Sequence, residues 1–323
     1  MIRLAGKGTE RFIDRSAEWA NSKEAYFQGF SPTHAIFFDT ATGRQLTPFV
    51  EGFKGYQFEE FYQSDLLEQV AHLLRKIHTS PLAFKNHIDF FERMDRLWLY
   101  LQEQEISLPA EYLSLRTALQ ERAHLNCLEA VPSHGDPVPS NFILLDGKLQ
   151  LFDWEYAGLA DPACDLAFLS SVMNYSKEQE EELLHHYGAG PVSLFREKII
   201  YFKPIVESWL GLWGILQTVC CNEPQKDFFK TFSIVRFKRA ERVLHSDEYS
   251  RAIELLTPLH KRDERLFRAF PIDSQVPLLA SFPRLSDRIG LTQIEFGLWI
   301  CPYCGILNPV AKQCCMCPSC PLK

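Results

Sequence analysis

The segment Pro132-Ser133-His134-Gly135-Asp136-Pro137-Val138-Pro139-Ser140 constrains the fold of this 323-residue chain more than any other stretch. Proline lacks an N–H and fixes φ, so this density of Pro and Gly rules out both a helix and a central strand. A shaped loop remains. It leads into Phe142-Ile143-Leu144-Leu145, then Asp146-Gly147, then Lys148-Leu149-Gln150-Leu151-Phe152. Two short apolar runs around an Asp-Gly pair predict a β-hairpin with a two-residue turn. That turn sets a register in which Leu145 pairs with Lys148, Asn141 lies opposite Phe152, and Ser140 lies opposite Asp153. Asn141 and Asp153 are then diagonal neighbours at the open end of the hairpin, and Asp136 lies on the loop that feeds it. Three oxygen-bearing side chains converge there. Hard oxygen ligands of this kind suit Mg2+, which takes one or two carboxylates and completes its shell with phosphate and water.

Upstream, Leu66, Val70, Leu74 and Ile77 recur on one face of a helix expected over 65–78, with Asp65 and Glu68 placed for a capping box. Runs at 34–38 and 45–50 read as strands flanking a turn at Thr42-Gly43. Helices are expected near 87–104, 108–127, 176–187, 192–221 and 226–246. The stretch bearing Pro258, Pro271, Pro277 and Pro283 reads as a connector with one helix. The expected organisation is a main domain over 1–250, a linker over 251–293 and a cysteine-rich module over 294–323. A net charge of -7 argues against a surface that coats nucleic acid. No uninterrupted apolar run reaches the ~18 to 20 residues of a membrane span. Met1 to Lys7 lacks the apolar core of a secretion signal, so a cytoplasmic location is expected.

The ten cysteines are unevenly spread. Cys127, Cys164, Cys220 and Cys221 stand in mostly apolar surroundings and are expected as buried thiols. The other six crowd between Cys301 and Cys320, which favours metal over disulfides in a chain without a secretion signal. Cys301 with Cys304 and Cys314 with Cys317 form two Cys-x-x-Cys pairs suited to tetrahedral Zn2+, with Ile306 to Pro309 available for the intervening turn. Cys317 with Cys320 is a rival second pair, and redox-active or lipidated cysteines are the alternative to zinc. Trp299, the first pair, Asn308 and the second pair resemble zinc fingers of the Ran-binding-protein type, although the offset from Asn308 to Cys314 is one residue short. That resemblance implies an RNA or protein partner.

Three motifs carry a wider resemblance. They are His134-Gly135-Asp136 with Asn141, Asp153-Trp154-Glu155-Tyr156, and Asp161-Pro162-Ala163-Cys164-Asp165-Leu166-Ala167. Together they resemble the aminoglycoside-phosphotransferase and choline-kinase superfamily. From Leu4 to about Leu244 the chain is similar to bacterial choline kinases, with Gly6-Lys7-Gly8-Thr9-Glu10, Asn21-Ser22-Lys23, Phe49-Val50-Glu51-Gly52 and Leu74-Arg75-Lys76-Ile77-His78 in matching order. The resemblance implies an α+β, protein-kinase-like two-lobed fold and an ATP- and Mg2+-dependent transfer to the hydroxyl of a small amino alcohol, choline or ethanolamine. It implies that Asp136 orients or deprotonates the hydroxyl and that Asn141 and Asp153 hold Mg2+. Arg3 takes the place of the strand-borne phosphate contact and Glu18 that of its helix-borne partner. Pro48, Phe49 and Val50 form the adenine hinge, and Asp165 braces the catalytic loop. Trp209, Trp213 and Glu155 fall among the substrate contacts.

The chain also departs from that family. It starts at what resembles the third strand of the small lobe, so a truncated N-terminal lobe is expected, with the glycine-bearing strand pair either upstream of Met1 or lost. The corresponding alternative is a catalytically weak pseudokinase that acts as a binding or regulatory module through its zinc finger. Trp209 stands four residues before Trp213 where the family spacing is three, and Val172 replaces a carboxylate. Of the two motif histidines, His134 is expected as a structural hydrogen-bonding residue. His78 is expected to favour a helix C-terminus through the dipole.

Overall fold

The computed structural model describes residues 1–6, 8–123, 130–188, 192–221 and 225–260, and three short strands between 293 and 309. In chain order come β1 (Ile2–Arg3), α1 (Arg15–Phe27), β2 (Phe37–Asp39), β3 (Arg44–Leu46), β4 (Lys54–Gly55) and α2 (Ser64–His78). Next are α3 (Phe90–Glu103), α4 (Ala110–Gln120), β5 (Val131–Ser133), β6 (Phe142–Leu145), β7 (Lys148–Leu151) and β8 (Gly158–Ala160). The helices α5 (Ala163–Met173), α6 (Lys177–Tyr187), α7 (Val192–Cys220), α8 (Gln225–Leu244) and α9 (Asp247–His260) follow. The last strands are β9 (Gln293–Ile294), β10 (Leu298–Ile300) and β11 (Leu307–Pro309). Among the described residues, one compact unit holds 1–89 and 130–202, and a second holds 90–123 and those from 203 onward.

The first unit contains two three-stranded antiparallel sheets, ordered β1-β3-β2 and β4-β6-β7, and a β5-β8 pair. The β6–β7 hairpin has the register set by its turn: Leu145 pairs with Lys148 and Phe142 with Leu151, and the Phe152 N–H donates to Asn141 O at 2.8 Å. Asp146 (φ 50°) and Gly147 (φ 73°) both lie in the left-handed region that the tight turn requires. The strand expected over 45–50 stops at Leu46. Thr47 still donates to Met1 O, but Pro48 has no N–H with which to continue the ladder.

On α2 the four periodic residues Leu66, Val70, Leu74 and Ile77 are all buried, and the helix packs along α6. The capping box expected of Asp65 and Glu68 does not form. The helix starts one residue earlier, at Ser64, which places Asp65 inside the first turn rather than at the cap. Instead, Glu60 accepts from the Gln57 N–H at 2.8 Å in the preceding 3-10 turn. All eleven residues of α5 are buried, so this helix shows no amphipathic stripe. Cys164 on α5 is buried as expected. Cys220 and Cys221, expected as buried, are partly exposed because they terminate α7; Cys127 lies outside the described residues.

The second unit holds α3, α4, α8, α9 and the C-terminal part of α7. Gly211 and Gly214 on α7 allow close approach to α8: a Cβ on Gly211 would stand 2.5 Å from Phe237 Cε1, and one on Gly214 would stand 2.4 Å from Ser233 Oγ. Glu207, 2% exposed, pairs with Arg236 (3.2 Å) and Arg239 (2.8 Å) of α8. By length and composition alone the α7 stretch Phe195–Cys220 is apolar enough to cross a membrane. Scattered polar residues conceal its length in the sequence. Since 83% of its most apolar window is buried within the protein, the core accounts for that apolar surface. Strand β10 pairs with β9 and β11, with Trp299 opposite Asn308.

Candidate active site

Asp165, in the first turn of α5, is fully buried and shapes the loop after β5. Its Oδ2 accepts from the His134 N–H (2.7 Å) and its Oδ1 from the Gly135 N–H (2.8 Å). His78 Nε2 lies 3.1 Å from the same Oδ2, and His78 Nδ1 lies 2.8 Å from the Tyr187 hydroxyl. His78 ends α2, as expected, and is buried there as a partner of Asp165. Burial acts to raise the Asp165 carboxyl, but His78, His134 and the Gly135 N–H together hold it below the usual range. Gly135 (φ 77°) has no room for a side chain, because a Cβ would stand 2.4 Å from Tyr156 O. His134 Nε2 lies 2.8 Å from Phe152 O, and its Nδ1 accepts the Asp136 N–H at 3.3 Å. Burial pushes the His134 ring below its ordinary value, so it is neutral and structural.

This loop brings Asp136 to Asn141. Asn141 Nδ2 donates to Asp136 O (2.9 Å) and to Asp136 Oδ2 (3.2 Å). With the amide donors used on Asp136, the carbonyl oxygen Oδ1 is the atom left to act as a ligand. Asp153 holds a left-handed backbone (φ 62°), an uncommon conformation for a non-glycine residue. Among the described residues, no group of three or more His, Cys, Asp or Glu is arranged to hold a metal. The Asn141 and Asp153 oxygens nevertheless fit Mg2+, which is ordinarily bound by one or two carboxylates plus phosphate and water.

Behind Asp153, three carboxylates share two guanidiniums. Arg3 Nη2 lies 2.8 Å from Asp153 Oδ1 and 2.9 Å from Glu155 Oε2, while its Nη1 lies 3.5 Å from Glu18 Oε1. Arg15 Nη1 lies 2.6 Å from Glu18 Oε2 and 3.2 Å from Glu155 Oε2. Burial and the neighbouring Asp153 push Glu155 up to about 7, and burial raises Glu18. Glu155, expected among the substrate contacts, thus has its carboxylate engaged by Arg3 and Arg15.

A pocket of about 380 Å3 opens onto this network. Its walls include the expected Arg3, Glu18, Pro48, Phe49, Val50, Asn141 and Asp153, together with Ala35, Phe53 and Phe152. Thr47 also lines it, and its buried hydroxyl has no hydrogen-bond partner among the described residues. An apolar slot that leads to a basic and acidic cluster can hold a flat heterocycle at one end and phosphates at the other. Asp136 lies one hydrogen bond beyond, through Asn141.

Trp209 and Trp213 belong to the second unit. Trp209 is buried at 3% exposure, and Trp213 packs edge-on against Phe229 (5.6 Å) and Phe232 (6.2 Å). Cys301, Cys304, Cys314 and Cys317 lie outside the described residues. Arg15 and Thr47 escaped sequence reasoning. The i,i+3 spacing of Arg15 and Glu18 was the only local signal for the former.

Residues 24–195 match the phosphotransferase enzyme family, APH. Protein LicA of Haemophilus influenzae (strain Rd) is 27% identical over 191 residues, covering 58% of this chain and 71% of that protein. The crystal structure of choline kinase LicA from Streptococcus pneumoniae is 28% identical with a TM-score of 0.64, covering 75% of this chain and 84% of that one. A crystal structure of LicA in complex with AMP is likewise 28% identical, with a TM-score of 0.63 and coverage of 75% and 83%.

Proposed function

Because this chain belongs to the phosphotransferase enzyme family and shares the kinase-like fold of its relatives, we propose that it transfers the terminal phosphoryl group of ATP to the hydroxyl of a small amino alcohol. Choline and ethanolamine are the favoured acceptors. Homology to LicA supports a small-molecule kinase, the name of the Streptococcus pneumoniae relative points to choline, and the AMP complex supports an adenine nucleotide. The observation that carries the reading is the pocket in which Pro48 to Val50, Arg3, Glu18, Asn141 and Asp153 share one lining, one hydrogen bond from Asp136.

In this reading the base lies against the hinge, and Arg3 meets the phosphates. Asn141 Oδ1 and the Asp153 carboxylate would hold Mg2+, which when bound neutralises phosphate charge. Asp136 orients the acceptor hydroxyl and takes its proton as the new P–O bond forms and the bond to the departing diphosphate breaks. Positioning and electrostatics provide most of such catalysis, so the Asp165 brace on the Asp136 loop matters as much as the reacting groups.

We also assign a structural zinc site to Cys301, Cys304, Cys314 and Cys317, serving an RNA or protein partner, in a cytoplasmic protein. The assignment rests on the sequence spacing of the two Cys-x-x-Cys pairs, which suits tetrahedral Zn2+.

Calorimetric titration of ADP with and without Mg2+ tests the pocket. The wild-type chain should bind ADP more tightly with Mg2+, and Asp153→Ala should abolish that gain while leaving adenosine binding intact. ADP affinity indifferent to Mg2+ in both proteins would overturn the ligand assignment.

A further inference from the structure

Arg15 does not line the pocket, yet it pairs with Glu18, which does. Its side chain is 7% exposed, and three partners fix its guanidinium: Glu18 Oε2 at 2.6 Å, Glu155 Oε2 at 3.2 Å and Thr9 Oγ1 at 2.5 Å. The turn between β2 and β3 closes over it with a glycine. Gly43 sits at φ 70°, and a Cβ there would meet Arg15 Nε at 2.7 Å and Ala5 Cβ at 3.0 Å. A side chain at this position would displace Arg15.

The two arginines compete for the same carboxylates. Arg15 takes one oxygen of Glu18 at 2.6 Å, while Arg3 keeps only a 3.5 Å contact with the other. Both share Glu155 Oε2. Arg3 remains 32% exposed and reaches Asp153 on the pocket side. Without Arg15, Glu18 and Glu155 would have one cation between them, and Coulomb attraction in a partly desolvated site would draw Arg3 back onto both. An Arg3 held by two carboxylates is a poor phosphate contact.

We infer that Arg15 is a positioning residue for nucleotide phosphate: it occupies Glu18 and Glu155 from the buried side, so that Arg3 faces the pocket and can exchange Asp153 for a phosphate oxygen. The inference rests on the proposed nucleotide site, and its test separates the two. ADP and adenosine are titrated with Mg2+ into the wild-type chain, Arg15→Gln, and Arg15→Gln with Glu155→Gln. Arg15→Gln should weaken ADP about tenfold, the scale of coupling within an ion-pair network, while adenosine stays within about twofold because Arg3 does not touch it. Glu155→Gln in the same chain should restore most of the loss, since a neutral amide no longer captures Arg3. A purely structural Arg15 would show neither the phosphate selectivity nor the rescue. Gly43→Ala, which displaces Arg15 without removing its charge, should reproduce the selective loss even where Arg15→Gln folds poorly. Equal weakening of ADP and adenosine, unchanged ADP affinity, or no rescue would overturn the inference. A wild-type chain that binds neither ligand would remove the nucleotide site itself, and this inference with it.

Discussion

Asp165 gathers two backbone N–H groups and the His78 ring onto one buried carboxylate, and the Asp136 loop takes its shape from them. A carboxyl with a lower pKa in the folded than in the unfolded state leaves the unfolded chain holding more protons at low pH. Its contribution to stability is therefore complete above the ordinary carboxylate value of about 4 and is lost as pH falls through the depressed folded value. Asp165→Asn should cost roughly 3 kcal/mol near pH 7, in the range for breaking a buried charged network, because an amide carries one acceptor oxygen and no charge. Thermal melts should show the gap from wild type narrowing below about pH 4. A gap that stays constant between pH 7 and 3 would contradict the assignment of Asp165 as an ionised brace. That Asn141 and Asp153 share one end of the hairpin was legible in the sequence because a two-residue turn fixes the pairing of every residue in its hairpin. The Arg15 network was not, since Glu155 lies 140 residues from Arg15 and nothing local links them.

At the scale of elements, periodicity reveals helices that have one wet face and fails for those that have none. The α2 stripe was legible from four residues, whereas α5 is buried on every side and has no period to detect. Strand ends followed backbone chemistry, with β3 stopping before Pro48. The helix start at Ser64 was misplaced because an Asp in a first turn and an Asp at a cap look alike in sequence. The cysteine module is tested by its metal content. Purified protein should contain about one equivalent of zinc, lost on Cys301→Ser, with little change in the main melting transition, as expected where metal stabilises only its own small unit. Native mass spectrometry that finds no metal, together with freely alkylated thiols, would remove the zinc assignment.

On the scale of the whole molecule, the first unit carries the pocket, the Asp136 loop and both arginines, and the second carries Trp209 and Trp213 on α7. The central claim is the transfer itself, and phosphorus-31 NMR of the wild-type chain with ATP, Mg2+ and either choline or ethanolamine tests it most directly. A phosphomonoester signal should grow with choline, more slowly with ethanolamine, and at a rate at least about 10²-fold lower in Asp136→Ala, the usual scale for loss of a general base. A wild-type chain that binds the Mg2+ nucleotide yet phosphorylates neither alcohol, or an Asp136→Ala variant that keeps most of the rate, would contradict it.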